Sequence, residues 1–138
     1  MFAKIISVGL FGMEAYMTGV EADISGGMPR FDVVGLPDTA VSESRERVRS
    51  AIKNNGLDFP PSRITINLAP ADIKKEGPIY DLPILIAILK STGQLSCDTD
   101  SSAFLGELSL NGEVRRINGV LPMVIKAQRC GVKEIYIP

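Results

Sequence analysis

Arg45, Arg49 and Lys53 recur at four-residue spacing, so on a helix they form one row of cations on a single face. Cations in such a row suit the chemistry of phosphate oxygens, where guanidinium and ammonium groups supply charge-assisted hydrogen bonds. The alternative is a solvated helix face. Glu43 precedes Arg47 by four residues and Glu46 precedes Arg49 by three, so part of the basic charge can be taken up by pairs within the helix. No aromatic residue is interleaved with the row, which argues against a base-stacking platform. Two further basic pairs, Lys74-Lys75 and Arg115-Arg116, read as surface charge or as contacts to a neighbouring domain. Two carboxylates, Asp38 and Asp81, stand at points where a helix begins and suit N-capping.

What the chain lacks narrows its chemistry further. There is no histidine among the 138 residues, which removes Ser-His, Cys-His and His-metal chemistry. No glycine is followed directly by lysine, so no phosphate-binding loop of the GxxxxGK[ST] kind exists, and no Asp-Glu dipeptide accompanies one. Cys97 and Cys130 lie far apart and form no Cys-x-x-Cys pair, so two reduced thiols are expected and no metal site. A formal net charge of −1 gives no overall attraction to polyanions. Contact with nucleic acid would have to come from a local patch.

The elements that would hold these residues follow from hydrophobic spacing and turn residues. Lys4 to Leu10 and Met17 to Asp23 read as strands joined by a turn around Phe11 to Glu14, and Phe31 to Val34 as a third strand. Asp38 or Ser42 can cap a helix marked by Val41, Val48, Ala51 and Ile52 and ended by Asn54-Asn55-Gly56. Arg63 to Leu68 alternates Ile64, Ile66 and Leu68 against polar residues, the pattern of a half-buried strand. A polar loop over 69–80 precedes a buried helix over 82–89, with Asp81 at its cap and Pro83 in its first turn. Runs over 104–110 and 113–115 flank Asn111-Gly112, which predicts a two-residue hairpin. A last helix over 119–129 leads to a strand at 134–138. Length and composition fit one domain of the α+β class, a mixed α/β sandwich with helices packed on the sheet. Every apolar stretch falls short of the roughly 20 residues a spanning helix needs, and the N-terminus lacks a signal-peptide layout, so no membrane contact and a cytoplasmic location are expected.

Three segments together carry a resemblance. Gly35-Leu36-Pro37-Asp38-Thr39-Ala40-Val41-Ser42-Glu43-Ser44-Arg45-Glu46-Arg47-Val48-Arg49, then Asn67-Leu68-Ala69-Pro70-Ala71-Asp72, then Glu76-Gly77 with Asp81-Leu82-Pro83-Ile84, look like the N-terminal domain of the ComM/YifB family of Mg-chelatase-like AAA+ ATPases. The resemblance implies the fold of the second domain of ribosomal protein S5, shared with the proteolytic domain of Lon and the C-terminal domain of RadA. It implies that 1–138 is a single Lon-like domain, truncated at its C-terminal end, whose parent chain carries an ATPase module using ATP and Mg. That parent would be a homo-oligomeric ring motor that engages DNA in recombination or transformation. The alternative it leaves open is a regulatory, protein-binding or assembly domain without DNA contact.

Lon-type peptidases use a Ser-Lys dyad, and the resemblance locates where one would stand. The serine would fall just after Gly77-Pro78, where Ile79, Tyr80 and Asp81 follow. The lysine would follow Asn118-Gly119, where Val120, Leu121, Pro122 and Met123 stand, and Lys126 lies more than a turn further on. A nucleophile and its base must meet within hydrogen-bond reach, so no peptidase activity and no catalytic residue are expected, and no cofactor in this chain. Asp38, Tyr80 and Asp81 are candidates to line the vestigial pocket; otherwise Asp38 and Asp81 cap helices and Tyr80 packs against a strand end.

Overall fold

A computed structural model describes residues 1–138. Strands β1 (Phe2–Phe11) and β2 (Glu14–Ser25) form a long antiparallel hairpin closed by Gly12-Met13, with Phe11 opposite Glu14. Gly12 takes the positive φ of 63° that so tight a turn demands. β3 (Arg30–Val34) and β4 (Arg63–Ala69) pair in parallel, and β4 joins β2 in antiparallel register. On the other side, β5 (Ser102–Phe104) runs parallel to β1, and β8 (Glu134–Tyr136) parallel to β5. The six-stranded order is therefore β3-β4-β2-β1-β5-β8, with β2 alone running against the rest.

Period-two alternation sorts the sheet into two faces. Ile5, Val20, Ala22, Ile64, Ile66 and Leu68 are fully buried on one face, beneath α2 (Ser44–Asn54) and α3 (Asp81–Ser91). Val8 and Leu10 point to the other face, where α4 (Val120–Arg129) packs through Met123 and Ala127 against the end of the hairpin. The remainder of that second face carries Lys4, Glu21, Thr65 and Asn67, with Asn67 donating to Glu21 at 2.7 Å. Helices on both faces of a mixed sheet realise the expected mixed α/β architecture.

Four local expectations are corrected. The first helix is two: α1 (Thr39–Ser42) ends at Glu43 and α2 begins at Ser44, while Asp38 caps α1 by accepting from the Val41 amide at 2.8 Å. Asp81 makes no cap bond to α3; its carboxylate is drawn instead to Arg47, as described below. The Asn111-Gly112 turn is not a two-residue hairpin, because β6 (Glu107–Leu108) and β7 (Val114–Arg115) pair Leu108 with Val114 across five intervening residues. Phe104, expected in that hairpin, belongs to β5 of the main sheet. Finally, Lys75 is not surface charge. It is fully buried in the loop before α3.

Candidate nucleic-acid interface

α2 is amphipathic: Val48, Ala51 and Ile52 are buried, which turns Arg45, Arg49 and Lys53 toward the open edge of the sheet at β3. Arg45 is exposed and its guanidinium donates to the carbonyls of Ser42 at 3.0 Å and Phe31 at 3.4 Å. Arg49 lies over the Phe59 ring, 5.3 Å from its centroid, and pairs with Glu46 at 3.1 Å. Lys53 is exposed. Arg49 and Lys53 line one shallow cleft of about 260 Å³ together with Arg30, Phe31 and Phe59. Arg30 stands opposite Arg63 in the β3–β4 register, and both are exposed. The structure thus gathers Arg30, Arg45, Arg49, Lys53 and Arg63 about one edge.

Sequence reasoning missed Arg30, Arg63 and Phe59. Arg30 lies 15 residues before Arg45, Phe59 lies 6 and Arg63 lies 10 residues after Lys53, all off the helix, and only the parallel pairing of β3 with β4 and the loop before β4 bring them to the row. The interplay is asymmetric. Arg49 is held by a carboxylate and an aromatic face, whereas Lys53 and Arg45 have no carboxylate partner. Because the Arg49 guanidinium covers Phe59, that ring is not a free platform for a base.

A second, polar cleft of about 550 Å³ opens where the β1–β2 hairpin meets the loop before α3 and the segment before α4. Its walls are Leu10, Gly12, Asp38, Glu76, Gly77, Pro78, Ile79, Arg116, Ile117 and Asn118. Both stretches singled out for the Ser-Lys dyad border this cleft, and its walls contain neither serine nor lysine. Of the three residues considered for a vestigial pocket, Asp38 alone lines it, accepting also from the Gly77 amide at 3.1 Å.

Tyr80 and Asp81 point away into the core. The Tyr80 hydroxyl is buried within 3.1 Å of both Thr18 Oγ1 and Tyr16 Oη, and burial drives its phenol far above the ordinary tyrosine range. Asp81 accepts from Arg47 Nε at 2.6 Å, Arg47 Nη2 at 3.1 Å, Ser44 Oγ at 2.5 Å and the Leu108 amide at 3.0 Å. It ties α2 to α3 and β6. Arg47 adds a bond to the Ala40 carbonyl at 2.7 Å.

Lys75, the one buried lysine, donates to the carbonyls of Gly35 at 2.9 Å, Ile73 at 2.6 Å and Pro70. Burial pulls its ammonium below the ordinary lysine range, with Asp72 opposing. No hydroxyl is in its bonding shell. It holds a loop, not a nucleophile.

Comparison with known proteins places this geometry in context. Residues 20–138 match the profile of the family described as subunit ChlI of Mg-chelatase. The chain is 47% identical over 125 residues to the uncharacterized protein YifB of Escherichia coli, covering 90% of the chain and 25% of that protein. It is 42% identical over 128 residues to the competence protein ComM of Haemophilus influenzae, covering 92% and 25%. Lon protease 2 of Thermus thermophilus is similar at 29% identity over 126 residues, covering 86% of the chain and 16% of that protein. The chain therefore spans about a quarter of the length of YifB and ComM.

Proposed function

We propose, starting from the fact that the chain belongs to the family of subunit ChlI of Mg-chelatase and resembles part of ComM and YifB, that it is a non-catalytic domain that helps a parent ATPase engage DNA. The observation that carries this reading is the cluster of Arg30, Arg45, Arg49, Lys53 and Arg63 at the β3 edge. Within the patch Asp32 pairs with Arg30 at 2.7 Å and Glu46 with Arg49 at 3.1 Å, while Arg45, Lys53 and Arg63 have no carboxylate partner and suit phosphate oxygens, which fix position without reading sequence. With Phe59 covered, the contact is to backbone rather than to bases.

The non-catalytic part rests on positions. Ile79 stands in the cleft where a nucleophile would be, Lys75 is bound to carbonyls, and the buried Ser44 is bound to Asp81. In the parent protein the ATPase module would supply ATP, Mg and the ring, and the domain would present the β3 edge to the duplex or branch that the motor works on. Such a parent is a helicase or branch-migration motor of recombination or transformation, at work in the cytoplasm.

The test is fluorescence anisotropy of the chain with labelled single-stranded and branched DNA at low salt. The Arg45→Ala, Arg49→Ala, Lys53→Ala triple variant is expected to lose at least about tenfold in affinity, a loss of the size that two or three phosphate contacts account for. The Arg115→Ala, Arg116→Ala pair, outside the edge, is expected to bind as the wild type does. Equal binding by wild type and triple variant, or none by either, overturns the reading.

A further inference from the structure

Three asparagines in the chain are followed directly by glycine: Asn55-Gly56, Asn111-Gly112 and Asn118-Gly119. In such a pair the glycine amide nitrogen can attack the asparagine side-chain carbonyl, because no Cβ on the second residue hinders the approach. The three pairs are alike in sequence, and all three asparagines are exposed. Hydrogen bonding separates them.

The first two pairs hold one another. Asn55 Nδ2 donates to the Ala51 carbonyl at 2.7 Å and to the Asn111 carbonyl at 2.9 Å, which fixes its side chain at the end of α2. Asn111 Oδ1 accepts from the Ser109 hydroxyl and from the Glu113 amide at 3.4 Å. Both glycine amides are occupied as well: Gly56 donates to the Lys53 carbonyl at 3.2 Å, and Gly112 to the Ser109 carbonyl at 3.0 Å. At each pair the attacking nitrogen and the side chain it would attack must both be released before they can meet.

Asn118-Gly119 carries neither restraint. The Asn118 side chain has no hydrogen-bond partner within the chain, and the Gly119 amide donates to no acceptor. Gly119 holds a left-handed backbone, with φ of 79°, just ahead of α4. Asn118 stands in the wall of the polar cleft, beside Arg116, where water reaches it.

We infer that Asn118 is a site of spontaneous modification, converting to aspartyl and isoaspartyl residues through a cyclic imide while Asn55 and Asn111 are spared. The Gly119 nitrogen bonds to Asn118 Cγ, the Cγ–Nδ2 bond breaks, and ammonia leaves with the proton of the Gly119 amide. Water then opens the imide at either of its carbonyls, so no oxidant or reductant takes part. The product adds a carboxylate to the wall of the cleft, and its isoaspartyl form lengthens the backbone by a methylene ahead of α4. None of this depends on the β3 edge or on DNA.

The experiment incubates the folded 138-residue chain in mildly alkaline buffer, beside a sample unfolded in urea, and follows each asparagine by mass spectrometry after digestion in acid. In the folded chain Asn118 is expected to convert at least about tenfold faster than Asn55 or Asn111, the slowing that follows from hydrogen bonds which must first be broken at those pairs. In urea the three rates are expected to converge. Ser109→Ala, which removes the hydroxyl bond to Asn111, is expected to speed conversion at Asn111 and leave Asn118 as it was. Asn118→Gln is expected to suppress the acidic species that ion exchange resolves from the aged protein. Comparable rates at the three pairs in the folded chain, faster conversion at Asn55 or Asn111, or an Asn118 that converts only in urea overturns the proposal.

Discussion

Tyr80 places its hydroxyl beneath the sheet, and Gly9 is the residue that makes room for it. A Cβ at position 9 would fall on the Tyr80 hydroxyl and within 2.7 Å of the Tyr16 ring. Gly9→Ala is therefore expected to destabilise the domain by about 1–3 kcal/mol, the usual cost of overpacking, with partial rescue by Tyr80→Phe in chemical denaturation. The same phenol governs the response to alkali. Its folded pKa is raised, so its contribution is fully present below the unfolded value near 10 and is lost as the unfolded chain ionises above it. Stability should fall through pH 10–12 with a slope of up to about 1.4 kcal/mol per pH unit from this group, and Tyr80→Phe should remove that share of the slope. None of this was legible in the sequence. Tyr80 was readable as a residue of a pocket or a strand end, and only the register that sets Gly9 opposite Tyr16 and Thr18 nearby shows why it points inward.

At the scale of elements, the Arg47–Asp81 pair joins α2 to α3. The Asp81 carboxylate has no exposed surface and the Arg47 side chain is 19% exposed, so this is a buried pair whose worth lies in geometry as much as in energy. Removing one partner leaves the other's charge unsatisfied. Arg47→Met is expected to cost about 3–5 kcal/mol in urea unfolding with an unchanged m-value, whereas Arg45→Ala, at an exposed position two residues away on the same helix, should cost under about 0.5 kcal/mol. The sequence showed Glu43 four residues before Arg47 and suggested a local pair; the structure has that contact at 4.0 Å, secondary to the bond with Asp81. Helix and strand periods were legible because each element buries one face. The partners of buried charges were not, since they come from elements 34 residues apart. The loop over 69–80 shows the same limit. Its polar composition reads as surface, yet Lys75 is buried because three carbonyls converge on it.

For the whole molecule, a basic edge lies at β3, while a polar cleft whose walls hold no serine or lysine and an apolar groove beside Leu36 both border the tip of the β1–β2 hairpin and the loop before α3. Lon protease 2 of Thermus thermophilus is similar over 126 residues, and the proposal that both members of the Ser-Lys dyad are missing predicts no turnover of fluorescent casein at any protein concentration that keeps the chain folded. Fold class and the row of Arg45, Arg49 and Lys53 could be read directly, because period and spacing are local properties. The rest of the basic edge required the fold.

The central claim is that this edge binds phosphate, and the salt dependence of DNA affinity tests it most directly. Over 50–200 mM NaCl, the logarithm of the association constant should fall linearly with the logarithm of salt, with a slope of about −3 to −4, as expected for about four neutralised phosphates on duplex DNA. Lys53→Ala should reduce the magnitude of that slope by about 1, since each phosphate contact releases about one counterion. A slope near zero, or a slope that the Arg45, Arg49 and Lys53 substitutions leave unchanged, would contradict the account.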